Sequence, residues 1–275
     1  MKMIIFLFNL IIKCQQAQLP ERAAGLTFRV LLAFFPFLVF LMALLGFLEL
    51  DEPAILSGLY QVLPMDIAVL ATDFLSELGA IRSGGVLSAA LFFSVYNTTN
   101  GFRAIIMYAN LSYGIEDRRN FPLQVILSFL LMIMFSVALV VMLGLLVFGR
   151  QIWAFILPYA ADAAIPDALF RLASGAGAAG VLLSATFIMY KLACARKLPI
   201  RHVLPGAVLA VAGWLIASGL FGWVITNFTQ YPAVYGSIAG VFILILWLNL
   251  ICFILLIGNE MNALLREYFP VDANV

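Results

Sequence analysis

The sequence predicts an all-α, polytopic membrane helix bundle of about six transmembrane helices with additional amphipathic interfacial helices. Three observations predict it. Apolar residues make up 65% of the 275 residues and charged residues only 11%, too few charges for a soluble domain of this length. The apolar residues form long runs, each near the ~20 residues that span a bilayer. The runs are continuous and do not alternate with period two, which excludes a β-barrel. In lipid, backbone polar groups pair within their own segment, so each run is expected to be helical.

The elements follow in order. Residues 1–20 read as an amphipathic amino-terminal helix lying on the membrane surface. Ile4, Ile5, Phe8 and Ile12 recur at helical spacing with Asn9 and Lys13 interleaved, and the apolar run is too short to span. Its lysine and apolar run also resemble a leader peptide, but no small-x-small cleavage signal follows. Residues 21–267 form the six-helix transmembrane domain. The expected spans are 27–48, 84–108, 123–148, 172–194, 203–227 and 237–264. Glu49, Asp51, Glu52 and Pro53 end the first; Pro205 sits in the first turn of the fifth, where a missing N–H costs little. Two segments, 49–83 and 150–171, fall on the opposite side from the termini. The first carries Ile67, Leu70, Phe74 and Leu78 on one helical face, with Asp66, Asp73 and Glu77 elsewhere. The second carries Trp153, Pro158, Tyr159 and Pro166 and reads as aromatic-belt anchoring, with a lid over an outward-facing cavity as the sharper alternative. Residues 268–275 form a short tail.

Lys and Arg set the orientation. Lys2, Lys13, Arg22, Arg29, Arg118, Arg119, Arg196, Lys197 and Arg201 fall on one side, and Arg82, Arg150 and Arg171 on the other. The asymmetry predicts that both termini lie in the cytoplasm. The net charge of +1 argues against nucleic acid binding, which needs a concentrated basic face. Cys14, Cys194 and Cys252 lack metal-ligand spacing and read as free thiols that pack. No Walker-type loop occurs, so direct use of ATP is not expected. No cofactor and no metal are expected. The expected partners are membrane lipids, with a homo-oligomer left open.

Polar groups inside a span are expensive, which makes them informative. The second span carries Asn97, Thr98, Thr99 and Asn100 in succession, then Arg103. Asn97 lies roughly 20 Å and Arg103 roughly 28 Å from the outer end at the rise of an α-helix. Glu260, with Asn259 and Asn262 beside it, lies roughly 35 Å along the sixth span, and Asn249 sits near its middle. Shared depth and opposite charge suggest an ion pair between Glu260 and either Arg103 or Arg22. Asn97, Thr98, Asn100, Arg103, Asn249, Glu260 and Asn262 form the candidate polar pathway or structural network. Lys191 reads as snorkelling. Ala176, Gly180 and Ser184 at four-residue spacing read as intramolecular helix packing.

Several motifs fall in a recognisable order. Arg22-Ala23-Ala24-Gly25-Leu26-Thr27-Phe28 precedes the first span, and Phe34-Phe35-Pro36 lies inside it. Gly101-Phe102-Arg103 is followed by Asn110 and Tyr113. Leu204-Pro205-Gly206 opens the fifth span, with Trp214 beyond. Tyr235-Gly236 opens the sixth, followed by Trp247 and Gly258-Asn259-Glu260-Met261-Asn262-Ala263. The pattern resembles the YihY/virulence factor BrkB family of bacterial inner-membrane proteins, over about residues 20–265. Asn259 and Met261 depart from the small residue and leucine usual around the family's glutamate, and a serine common in its first span is replaced near Ala33–Phe34. The resemblance implies a polytopic inner-membrane protein with an envelope connection. The family also once carried a ribonuclease label. This sequence speaks against nuclease chemistry: its one histidine, His202, falls in a basic turn and its carboxylates are scattered, whereas hydrolysis of a nucleic acid needs them clustered.

Two functions remain in view. One is a transporter or flippase for an envelope lipid, another amphiphile or an ion, without enzymatic activity. The other is a non-transporting scaffold that binds envelope partners. A polar cleft reaching Asn97 and Asn249 favours the first; a dry, close-packed interior favours the second.

Overall fold

The structure, a computed structural model, describes residues 2–47, 60, 65–79, 84–156, 167–196, 198–228 and 238–269. Eight helices make up these residues: α1 (Lys2–Gln16), α2 (Leu19–Phe47), α3 (Met65–Gly79), α4 (Gly84–Ser112), α5 (Phe121–Ile156), α6 (Asp167–Ala193), α7 (Ile200–Phe228) and α8 (Ile238–Tyr268). Five helices are long and apolar enough to cross a membrane: α2, α5, α6, α7 and α8. The expected second span is also a long helix, α4, but it is not among those five. Its Asn97–Asn100 run and Arg103 dilute the apolar residues around them.

The long helices pack as a closed ring. Each touches the next in the order α2, α4, α5, α6, α7, α8, and α8 returns to α2. α3 rests on α2 and α8. The face of α3 is set by Ile67, Ala68 and Ala71, all fully buried, and Ile67 packs with Leu244 and Trp247 of α8. Segment 49–83 therefore contributes a helix docked into the groove between two spans. Phe74 and Leu78, expected on that face, lie outside the described side chains, as does the acidic cluster at 49–53. α5 continues eight residues past its expected end, carrying Trp153 in its last turns. Pro158, Tyr159 and Pro166 of the second expected outer segment, and the tail from residue 270, lie outside the described residues.

α1 turns into α2 at Ala17 and Gln18, where Gln18 takes a left-handed φ of 49°. α2 then starts two turns earlier than expected, with Pro20 in its first turn, so Arg22 belongs to the helix and not to a flank. α1 docks on the last turns of α8: Asn9 donates to the Tyr268 hydroxyl, Lys13 pairs with Glu267, and Phe6 meets Tyr268 edge-on. Ile5, Leu7, Phe8 and Ile11 remain exposed, an apolar face suited to the acyl boundary. Both ends of the described chain thus lie at the same end of the bundle.

α7 and α8 cross in direct backbone contact. A Cβ at Gly258 would stand 2.6 Å from the Gly206 carbonyl oxygen and 2.8 Å from the Tyr190 hydroxyl, and a Cβ at Gly206 would overlap the Gly258 carbonyl and the Asn262 amide. Only glycine lets the two backbones meet. Pro205 leaves its own position without a donor, and the next N–H, that of Gly206, is turned outward to the Asn262 side-chain oxygen at 2.8 Å. The stripe Ala176, Gly180, Ser184 behaves otherwise. All three are exposed, and nothing stands within 4 Å of a Cβ placed on Gly180. The expectation of intramolecular packing there is corrected: α6 turns its Ala178, Leu182 and Ala185 face inward instead.

Substituting these glycines separates the two cases. Gly206→Leu or Gly258→Val should lower the unfolding free energy in detergent by about 1–3 kcal/mol or more through overpacking. Gly180→Ala should leave it within about 0.5 kcal/mol. Equal effects would show that the α7–α8 crossing is not closed by backbone contact.

Candidate functional site: an apolar cavity above a polar plug

Three helical stripes face the ring's interior. On α2 they are Leu26, Val30, Ala33 and Phe37; on α4 Thr98, Gly101, Phe102 and Ile105; on α8 Leu248, Cys252 and Leu255. The three- and four-residue spacing puts each set on one face. Between them lies a cavity of about 200 Å³, to which all six long helices contribute, with Phe135 from α5, Met189 from α6 and Trp214 from α7. Trp214 and Trp247 meet edge-on, ring centroids 6.5 Å apart, and the Trp247 N–H donates to the Ser218 hydroxyl at 3.2 Å. Polar atoms on the wall are few, and the buried Thr98 hydroxyl has no hydrogen-bond partner among the described residues.

Of the expected polar pathway, only Thr98 lines this cavity. Asn97 folds back onto its own helix, donating to the Phe93 carbonyl at 2.9 Å. Asn100 accepts from Arg103 at 3.5 Å, and the Arg103 guanidinium lies 4.7 Å over the Phe121 ring. Asn249 donates to the Thr27 hydroxyl at 3.2 Å. Lys191 is exposed, 6.0 Å from the Phe187 ring. These contacts are separate from one another. Asn97, Asn100 and Asn249 do not form one patch.

Glu260 and its neighbours form a plug at the end where α1 docks. Glu260 is 1% exposed, and its nearest cation is Arg22, 3.6 Å away. Arg103 is not its partner. α4 turns Arg103 toward α5, and its level with Glu260 is reached nine residues later, by Ser112, which faces the carboxylate. The Ser112 hydroxyl itself donates to the Tyr108 carbonyl at 3.2 Å. Neither carboxylate oxygen of Glu260 receives a well-formed hydrogen bond from the described residues. Asn259 donates to the Ala109 carbonyl of α4 at 3.2 Å, and Asn262 accepts from Gly206 of α7. Three side chains within about one turn of α8 thereby reach α4, α2 and α7.

A second polar clamp holds α6. Gly114, at φ 61°, ends α4, with Ile115 donating to the Asn110 carbonyl and Gly114 to that of Leu111, both at 3.0 Å, the Schellman pattern. The Asn110 side chain accepts from the Ala195 N–H at 2.7 Å and donates to the Ala193 carbonyl at 3.0 Å. Arg119 donates to the Cys194 carbonyl at 2.6 Å and to those of Leu192 and Ala193, satisfying carbonyls left open at a helix C-terminus and complementing its dipole. His202, expected in a basic turn, lies buried in the first turn of α7, and neither ring nitrogen has a hydrogen-bond partner among the described residues. Among the described residues no three His, Cys, Asp or Glu side chains converge.

The converging pieces are the motifs that lie far apart in sequence: the Arg22–Phe28 segment, Gly101 to Tyr113, Leu204–Gly206 and Gly258–Ala263. Comparison with known proteins gives the family. Residues 10–274 match the family described as virulence factor BrkB. The chain belongs to this family. A ribonuclease-like protein, YfkH, of Bacillus subtilis is 32% identical over 247 residues, covering 90% of each chain. A UPF0761 membrane protein of Alkalilimnicola ehrlichii is 39% identical over 72 residues, 26% of this chain and 16% of that protein. Another, of Idiomarina loihiensis, is 38% identical over 81 residues, 30% of this chain and 28% of that protein. No solved structure matches. With its long apolar helices and relatives named as membrane proteins, this chain is an integral membrane protein of the virulence factor BrkB family.

Sequence reasoning did not place Ser112 and Lys13 beside Glu260, nor Arg119 on α6, because these meet across helices. The stripe 248, 252, 255, 259 on α8 was the available signal that Asn259 continues the cavity wall.

Two outcomes are expected at the plug. Arg22→Met should destabilise the protein more than Glu260→Gln, since it strands a buried carboxylate. A double-mutant cycle should give a coupling of about 1–3 kcal/mol, below that of a fully buried pair because Arg22 is 26% exposed. Additivity would mean that the two charges do not interact. Burial holds the Cys14 thiol up at about 11, with Glu260 adding to the effect and Lys13 opposing it. With Cys194 and Cys252 replaced by alanine, alkylation of Cys14 should therefore keep accelerating as pH rises toward about 11. A plateau near the ordinary thiol range would contradict that burial.

Proposed function

We propose that this chain is a bacterial inner-membrane protein, both termini cytoplasmic, that moves an envelope lipid or another amphiphile by taking its hydrocarbon into the central cavity, without enzymatic chemistry. The carrying observation is the cavity: about 200 Å³, lined by all six long helices and almost wholly by hydrocarbon and aromatic side chains. An apolar cavity of this size stays dry and accepts apolar guests. Such a wall offers an ion nothing to replace its water, so the amphiphile is favoured over the ion. Basic residues gather at the end that holds both termini, with Arg22 at Glu260, Arg119 at the end of α6 and Arg266 near Cys194, which supports the cytoplasmic orientation. Relatives named as membrane proteins support a membrane setting.

The scaffold reading has its own support. Asn249, Asn259 and Asn262 each hold one helix to another, so much of the intramembrane polarity is spent on assembly.

Liposomes with a fluorescent phospholipid in one leaflet separate the two. Wild-type protein should speed its appearance in the other leaflet above protein-free vesicles. Thr98→Phe, which fills the cavity and removes a hydroxyl that bonds to nothing described, should return the rate to that of empty vesicles while remaining monodisperse. Equal rates for wild type and empty vesicles would leave the scaffold.

A further inference from the structure

α4 has a second face, turned away from the cavity. Phe92, Phe93, Tyr96 and Met107 are exposed on it. Asn100 and Arg103, both partly exposed, fall between Tyr96 and Met107 at three- and four-residue spacing. The Arg103 guanidinium lies 4.7 Å over the Phe121 ring, with one nitrogen 3.5 Å from the Asn100 side-chain oxygen. That contact turns the Asn100 amide nitrogen the other way. The amide nitrogen and the remaining guanidinium nitrogens have no hydrogen-bond partner among the described residues. The arrangement is a set of donors on an outward face.

No acid balances it. Among the described residues Lys13, Arg22, Arg118 and Arg119 each stand beside a carboxylate, and Arg103 stands beside none. Arg29 is likewise without an ion pair among them. Its side chain is exposed, and its carbonyl lies 3.9 Å from a Cβ placed on Gly101, two residues from Arg103. Two unpaired cations therefore share one level. The level is the edge of the hydrocarbon. Phe121 opens α5 and its membrane-crossing stretch, and Arg118, 89% exposed, precedes it by three residues. Counted from Gly84, Arg103 lies roughly 28 Å along α4, against about 30 Å for a hydrocarbon core.

We infer that Arg103, with Asn100 beside it and Phe121 beneath it, binds the phosphodiester of an anionic phospholipid in the leaflet on the side of the termini. The acyl chains then lie on the exposed Tyr96, Phe93 and Phe92. Charge selects the anion: a cation at the edge of a low-dielectric layer is costly without one, and the Phe121 ring steadies the guanidinium without neutralising it. Geometry selects phosphate, whose oxygens match the planar guanidinium fork. Arg29 adds a second positive charge, which favours an anionic head over a zwitterionic one. The site lies on the outer face of the ring and does not depend on the reading of the cavity.

Native mass spectrometry of the delipidated protein in detergent tests this with three probes. They are dimyristoyl phosphatidylglycerol, dimyristoylglycerol with the same chains and no phosphate, and glycerophosphoglycerol, the phosphodiester head without chains. The phospholipid should bind about tenfold tighter than the diacylglycerol, the value of a hydrogen bond to a charged group. Arg103→Ala should remove that advantage and leave the diacylglycerol's affinity unchanged. Arg118→Ala should change neither, since Arg118 is exposed and already paired with Glu116. Equal binding of phospholipid and diacylglycerol, or an advantage that survives Arg103→Ala, overturns the inference. Displacement by glycerophosphoglycerol at the phospholipid's own concentration would assign the site to a soluble phosphate ester and overturn the lipid. The comparison of probes on wild type needs no variant, so a misfolded Arg103→Ala gives the idea no shelter.

Discussion

Polar groups that sit in a low-dielectric layer must find partners inside the fold, and this constraint organises the molecule. Backbone groups meet it by forming helices. The side chains of Asn259, Glu260 and Asn262 meet it by reaching outward from α8 to three different neighbours. Gly258, whose missing side chain lets α7 and α8 touch, belongs to the same five-residue stretch. Contact and polarity are thus concentrated in one place. α8 becomes the element against which α1, α2, α3, α4 and α7 are all positioned. Each amide contact contributes only about 0.6 kcal/mol in a membrane. Their effect is to fix the register of helices that apolar packing alone would allow to slide.

Tight closure at one end has a consequence for the middle. Where Gly206 and Gly258 meet, the helices are close; further along, Trp214, Trp247, Phe102 and Phe135 stand between them. Large rigid rings around a closed circle of six helices do not fill its centre, and the cavity is what they leave. Its floor is the polar plug, reached through the layer of Leu26, Ile105 and Leu255. The molecule therefore has a hydrocarbon interior adjoining a hydrogen-bonding end, an arrangement with the same polarity order as an amphiphile.

The clamp on α6 shows a different use of the same physics. Asn110 and Arg119 complete the open carbonyls and N–H groups just past Ala193. Those groups would otherwise face a partly apolar boundary unpaired. The clamp joins the α4–α5 connection to the α6–α7 connection, so the ring is tied at this end as well as packed along its length.

The amino-acid sequence by itself determined the class of fold, the helices and their approximate extents, because apolar run length and the need for internal backbone pairing are local properties. It also placed Arg22 and Glu260 as a possible pair, since charge and depth along a helix can be counted. The tertiary structure decided between Arg22 and Arg103, because that choice depends on helix rotation, which no count along one helix supplies. It decided likewise that Ala176, Gly180 and Ser184 face outward, that His202 is buried, and that Asn97 and Asn249 serve separate contacts. The cavity belongs wholly to this second category: it is a volume bounded by six helices, and a volume exists only once their relative positions are set.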